Sequence, residues 1–308
     1  MFTQALWFVS NLASDTERRG ALLDYKGTVE LVMSLCREGN LAHMRLAART
    51  ASNFFWKMNV AQFDRMRPHL PDMVKLTDHA DDEVAKYGLI ALSSGDALLN
   101  LRDEWRDERI RLGVVPRAIT LLKRSPEIAK HALAIAGDMC SGTDVQCQAA
   151  LDAGLLPNMR DLLNRCVNLR TTLGSEIRRI ACWTLCNIAG GTQSQRRLLI
   201  NSHFVPVLRE IVRDINPEER RARFEAAWAI SHLIRFGDEL DIRLFVYPSV
   251  RIELNNVIQT ARSPSSSNIN FGITNPANMC ESIAEAIAIL EKKSFNQPIN
   301  TNQLMQPE

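Results

Sequence analysis

The chain has 308 residues, of which 46% are hydrophobic and 23% charged, and its formal net charge is +2. A balance so near neutral excludes the global field that draws nucleic acid or an acidic membrane surface, so neither is an expected partner and any charged ligand has to be held locally. Seven scattered cysteines without a CxxC pair favour reduced thiols in an intracellular compartment, and no apolar run approaches the roughly 18 residues of a membrane span.

Along the chain, apolar residues recur at i, i+3 and i+4 almost everywhere, while the alternating Val, Ile, Thr and Tyr segments of a β protein are absent. This predicts an all-α chain. Gln4 to Ala13 (QALWFVSNLA) is a small-residue helix with Trp7 followed four residues later by Asn11. Arg18 to Cys36 then predicts a short amphipathic helix, a break and a second helix. Ala51 to Met58, Val84 to Ser94 and His131 to Cys140 read as weaker copies of the first helix, and Gln146 to Leu163 repeats the two-helix text. Ile180 to Ala189 (IACWTLCNIA) repeats the Trp-then-polar helix with Trp183 and Asn187, and it stops at Gly190-Gly191, a common way to end a helix. Gln195 to Val212 is again two-helix text, and Glu225 to Ile234 (EAAWAISHLI) supplies Trp228 and His232.

Taking positions 7, 53, 88, 134, 183 and 228 as equivalent gives spacings of 46, 35, 46, 49 and 45, close to the 40–47-residue period of helical repeats. Such units cannot bury their apolar faces alone, so they stack. About six repeats are expected over residues 1–293, with a flexible insertion near 262–278 before a last helix at Met279 to Lys292, and with a disordered tail over 294–308.

At about 100° per residue, Ile177, Ala181, Leu185 and Ile188 share an arc about 80° wide, whereas Trp183 lies about 155° and Asn187 about 115° from its centre. On the helix of Trp228, Ala226, Ile230 and Leu233 share one side, and Trp228, His232 and Glu225 share the other. A ring, a polar tip and a carboxylate together suit a cation.

The text IRRIACWTLCNIAGGTQSQRRLLINSHFVPVLREIV, with FEAAWAISHL, GDMCSGTDVQCQAALDAGLLP and QALWFVSNLASD, resembles armadillo repeats of importin-α (karyopherin-α), the adaptor that carries nuclear-localisation-signal cargo. The resemblance implies a right-handed armadillo-type α-solenoid, found in cytoplasm and nucleus, that binds Lys/Arg-rich signal peptides in an extended conformation. In such a stack the third helices line the concave face about 8–10 Å apart. Amides at i+4 then clamp a peptide backbone, and indoles at i form slots for basic side chains, worth roughly 0.5–2 kcal/mol each. By resemblance Trp183, Asn187, Trp228 and Glu225 match the minor signal-binding site, and Asp144 matches an acidic residue there. Trp7, Asn11 and Asp15 match one repeat of the major site.

The departures are specific. His232 stands where the family has Asn, Asn53 and Lys57 stand where Trp and Asn belong, Gly88 and Leu92 do so in the next repeat, and Asp138 takes another Asn place. Because the repeat before Trp7 lies beyond the start of the sequence, the major site looks dismantled. Importin-β is a partner the family implies, against which stands the absence of the family's basic N-terminal segment. No cofactor and no metal are expected: Cys182 and Cys186 share a helix face but have no His or Cys at ligand spacing. With no GxSxG, P-loop, HExxH or GxGxxG in context, an enzyme is not expected either.

Plainer readings stand beside these. Trp183 and Trp228 can pack against neighbouring third helices, Trp7 can cap the end of the stack, and Asp144 can be a helix N-cap. Glu218 to Arg223 reads as a solvated helix start, and Trp56 and Trp105 as packing residues. At the level of function, the alternatives are an interaction scaffold that has lost cargo transport, and a partial product whose missing N-terminal repeats carry the main site.

Overall fold

The computed structural model describes residues 2–56, 58–93, 102–262 and 276–295. Lys57 and most of the expected insertion at 262–278 lie outside the described residues. Of the expected tail, positions 294 and 295 close the last helix and the remainder lies outside. The chain divides into two compact units, residues 1–184 and 185–308.

The first unit contains α1 (Phe2–Ser14), α2 (Thr16–Asp24), α3 (Thr28–Glu38), α4 (Leu41–Phe55), α5 (Val60–Met66), α6 (Leu70–Leu76), α7 (Asp82–Ser93), α8 (Arg102–Arg111), α9 (Val114–Leu121), α10 (Pro126–Cys140), α11 (Asp144–Asp152) and α12 (Leu155–Arg165). It ends within α13 (Thr172–Gly190). The second unit holds the rest of α13, then α14 (Gln193–Asn201), α15 (Phe204–Arg213), α16 (Arg220–Phe236), α17 (Glu239–Arg243), α18 (Pro248–Arg262) and α19 (Pro276–Phe295). Among the described residues there is no strand, and no helix is long and apolar enough to cross a membrane.

The helices group in threes, and the third of each group (α4, α7, α10, α13, α16, α19) packs on its predecessor, with α1 packed in the same way on α4. Small residues permit this close approach. Ala47, Ala48 and Ala51 of α4 and Ala129, Ala132 and Ala136 of α10 are all fully buried, so backbones pack with little side-chain bulk between them.

Local chemistry sets the boundaries of each group. First helices open on reciprocal capping boxes: Asn59 with Gln62, Thr143 with Gln146, Thr192 with Gln195 and Asp238 with Asp241. Each satisfies two donors that a helix start otherwise leaves unpaired. The turn from first to second helix passes through a left-handed residue at Gly27, Gly113, Gly154 and His203. Third helices are tied down by buried arginines that the sequence pattern did not single out. Arg178 donates to the Cys166 and Leu169 carbonyls, and Arg223, 45 residues on, donates to the Val212 carbonyl. A cation at the C-terminal end of the second helix also complements its dipole.

Two expectations are corrected. The Arg-rich start of α16 is not simply solvated: Glu219 and Arg223 are buried, and the Arg220 guanidinium donates to the Thr260 carbonyl at 2.7 Å. Trp56 is 48% exposed, because α4 ends at Phe55 and the extended backbone of its C-cap carries the ring off the helix. Trp105 does pack: it is buried and meets Phe63 edge-on, with ring centroids 5.3 Å apart.

Candidate functional site

On α13 the outward positions are Glu176, Arg179, Trp183 and Asn187, all half-buried, while Ala181, Cys182, Leu185 and Cys186 between them are buried. The sulfurs of both cysteines therefore belong to the core. Within the first unit the Trp183 indole lies against Gly137 of α10, where an added Cβ would come within 2.8 Å of the ring. One turn further along α13, Asn187 has its amide Nδ2 buried without a hydrogen-bond partner.

In the second unit, α16 carries Trp228, His232 and Phe236 at four-residue steps. Their rings form a tilted ladder with centroid separations of 5.2 and 5.4 Å. His232 stands where the amide was expected, and it is committed to the protein: its Nδ1 lies 3.2 Å from the Cys186 carbonyl. A carbonyl only accepts, so Nδ1 carries the proton and Nε2 is left as an acceptor in the neutral ring. Burial, the largest influence, holds this imidazole below its usual pKa; the bond to Cys186 opposes it and Arg235 adds to it. Glu225 is only 6% exposed, so its carboxylate lies deeper than the indole beside it.

In the first unit, Trp7 is 56% exposed on α1, Asn11 is half-buried and Asp15 is exposed. Asp15 is the N-cap of α2, accepting from the backbone N–H of Glu17 and Arg18, which with the Arg18 charge lower its pKa. Asp144 is exposed at the first position of α11, and the N-cap is Thr143, whose hydroxyl accepts from the Gln146 N–H. The N-cap reading of Asp144 is therefore corrected: the threonine one residue earlier supplies the acceptor.

The rungs between these ends differ from an indole-amide ladder. Asn53 donates to the Ser10 carbonyl of α1 at 3.0 Å. Gly88 and Leu92 are corrected as equivalents of Trp and Asn. Both are buried, and Gly88 faces α6, where an added Cβ would fall 2.9 Å from the Met73 carbonyl oxygen. The outward residues of α7 are Lys86, Tyr87, Ile90 and Ser93, so Ile90 holds the indole position, as Ala134 does on α10. Asp138, at the amide position of α10, is bound by Arg106 at 3.0 Å and by Arg109 at 2.6 Å. Burial raises this carboxyl, but the two guanidiniums outweigh it and hold it below the usual range. Arg109 also lies 5.1 Å from the centroid of the Trp105 ring. These arginines were not visible as partners in the sequence, since they stand about 30 residues from Asp138 on another helix.

Among the described residues no group of three or more His, Cys, Asp or Glu side chains is arranged to hold a metal ion.

Helices in threes, with third helices stacked on third helices, define an armadillo-type α-solenoid. Solved armadillo structures agree with that. A designed armadillo repeat protein, YIII(Dq)4CqI, superposes with a TM-score of 0.67 at 20% identity, over 85% of this chain and 99% of its own. A second, YIII(Dq.V1)4CPAF in complex with the peptide (KR)4, does so with a TM-score of 0.66 at 21% identity, over 84% and 99%. In sequence the chain is similar to importin α subunits. It is 31% identical over 191 residues to importin subunit alpha-1a of Oryza sativa subsp. japonica, covering 61% of this chain and 34% of that protein. It is 26% identical over 257 residues to importin subunit alpha-8 of Arabidopsis thaliana, covering 83% and 55%. The chain thus spans about a third to a half of the length of these relatives. No family model matches the chain.

Proposed function

We propose that the chain is a non-enzymatic, importin-α-like adaptor that binds Lys/Arg-rich nuclear-localisation-signal peptides in an extended conformation and works in cytoplasm and nucleus. The observation that carries this reading is that each unit has a third-helix indole, Trp183 on α13 and Trp228 on α16, half-buried among neighbours that are buried. A Lys or Arg stem and its cationic head pack against the exposed part of such a ring. Asn187 adds an amide whose Nδ2 is buried without a partner, and a turn of the side chain brings that donor to a peptide carbonyl. His232 differs from an amide in offering Nε2 alone, so this rung accepts from a peptide N–H and gives nothing back. The relatives' name supports the assignment, and so does the complex of a structural neighbour with the peptide (KR)4.

The test is fluorescence titration of a labelled bipartite basic peptide. Micromolar or tighter binding is expected, weakening with added salt. Trp228→Ala, and separately Trp183→Ala, each remove roughly 0.5–2 kcal/mol, a several-fold loss. Unchanged affinity in both variants would reject the indole slots.

A second reading, an interaction scaffold without cargo transport, draws on the first unit. Ile90 and Ala134 stand at its indole positions, and Asp138 is consumed by the chain's own arginines. Affinity purification separates the two readings, since the adaptor enriches basic-motif proteins and importin-β whereas the scaffold recovers neither.

A further inference from the structure

Four residues before Asn53, Ile90, Ala134 and Trp183 stand Arg49, Lys86, Lys130 and Arg179. One cation therefore recurs one turn below the indole position on α4, α7, α10 and α13, and all four are half-buried, outward residues of the first unit. Links across each step make the row continuous. The Arg49 charge acts on the Tyr87 hydroxyl of α7, the Lys86 charge acts on His131 of α10, and Lys130 Nζ bonds Glu176 of α13 at 2.9 Å.

We propose that this row is a docking site for an extended acidic segment of a partner protein, with Arg49, Lys86 and Arg179 each receiving a carboxylate while Lys130 stays paired with Glu176.

Acidic residues also lie on this face, three residues before the cations of α7, α10 and α13, and their pairing decides the local charge. Glu83 is held by Arg45 at 3.5 Å and Glu176 by Lys130. Among the described residues Glu127 alone of the three is in no ion pair, against Arg49, Lys86 and Arg179, which are in none. The face therefore has a cationic surplus. Burial first, then Lys130 and Lys86, push the neighbouring His131 imidazole down to about 4 against the pull of Glu176. The middle helices also lack the indoles that would favour a cation, having Asn53, Ile90 and Ala134 in their place. Helix spacing fits the ligand. Packed helices lie about 8–10 Å apart, and an extended polyproline-II strand brings every third side chain to the same face after about 9 Å.

This proposal is independent of the basic-peptide reading, because it uses other residues and the opposite ligand charge. The test is titration of a labelled repeat peptide of Glu-Pro-Ser against the full chain, with its Gln and Lys counterparts and a single-stranded oligothymidylate as comparators. Saturable binding of the Glu peptide, lost with salt and absent with the Gln peptide, is expected. The triple variant Arg49→Gln, Lys86→Gln, Arg179→Gln should weaken it about tenfold, as should the single reversal Lys86→Glu, while Arg243→Gln in the second unit leaves it unchanged. Circular dichroism verifies that each variant is folded. No binding of the Glu peptide, equal binding of the Gln peptide, indifference to both row variants, or oligothymidylate binding more tightly through the same residues would overturn the assignment. The Lys peptide, tested on Trp228→Ala, reports on the other reading separately.

Discussion

A methyl group on Gly137 would lie 2.5 Å from Thr184 Oγ1 and 2.8 Å from Trp183 Cζ3, both closer than packed atoms tolerate. Thr184 is pinned by its hydroxyl bond to the Ile180 carbonyl, so the strain falls on the indole or on the spacing of α10 and α13. Gly137→Ala is therefore expected to cost about 1–3 kcal/mol, as overpacking does, read as a lowered urea midpoint. An unchanged midpoint would show that the ring is free to move aside. At this scale a helical wheel placed Trp183 and Asn187 on the outward side of α13 because their own helix fixes that direction. It could not place Glu225 in depth. α16 packs on α15 and α19 as well, and a flank that a wheel treats as open is covered once two neighbours are in place. The arginines on Asp138 were illegible for a related reason: only the packing of α8 beside the end of α10 brings them there.

Capped helix starts were more legible than the extent of the third helices: the segments read from Ala51, His131 and Ile180 belong to helices that begin at Leu41, Pro126 and Thr172. A Thr followed three residues later by Gln states its capping box in the chain itself, as at Thr192 and Gln195, and the turn into the second helix advertises itself where it uses Gly. The register of α7 is not legible because it has no indole to align on, and Gly88 is an interior contact with α6. The turn before α15 departs from the glycine pattern. His203 has φ 55° and ψ 36°, a left-handed conformation that costs an L side chain roughly 1–2 kcal/mol, and the equivalent turns at Gly113 and Gly154 use glycine. Glycine gives back part of that relief through the greater freedom of its unfolded chain. His203→Gly is thus expected to stabilise the protein by about 0.5–1 kcal/mol, seen as a raised melting temperature. A lower melting temperature would mean that the imidazole makes contacts worth more than the strain.

Across the whole molecule, buried titratable groups set the response to acid. His131 titrates at about 4 in the folded chain against 6.5 for an ordinary histidine, because burial, Lys130 and Lys86 disfavour its charged form more than Glu176 favours it. His232 is lowered in the same direction. Between these limits the unfolded chain takes up protons that the folded chain refuses, so stability rises with pH. That contribution is complete above about 6.5, declines as the pH falls, and is gone by about 4. Below that, the carboxylates take over. Asp138, and Asp81 at about 2 through its bond to Arg45, stabilise the fold above their unfolded pKa and lose that contribution as the pH drops through their lowered values. The two windows can be separated by removing one histidine. Urea midpoints of the wild type should fall between pH 7 and pH 4.5, and His131→Gln should flatten that fall whatever it does to the midpoint at pH 7, since glutamine fills a similar space without a proton to gain. A slope identical to that of the wild type would show that His131 is as easily protonated in the folded chain as in the unfolded one, and that the cations beside it are screened by water.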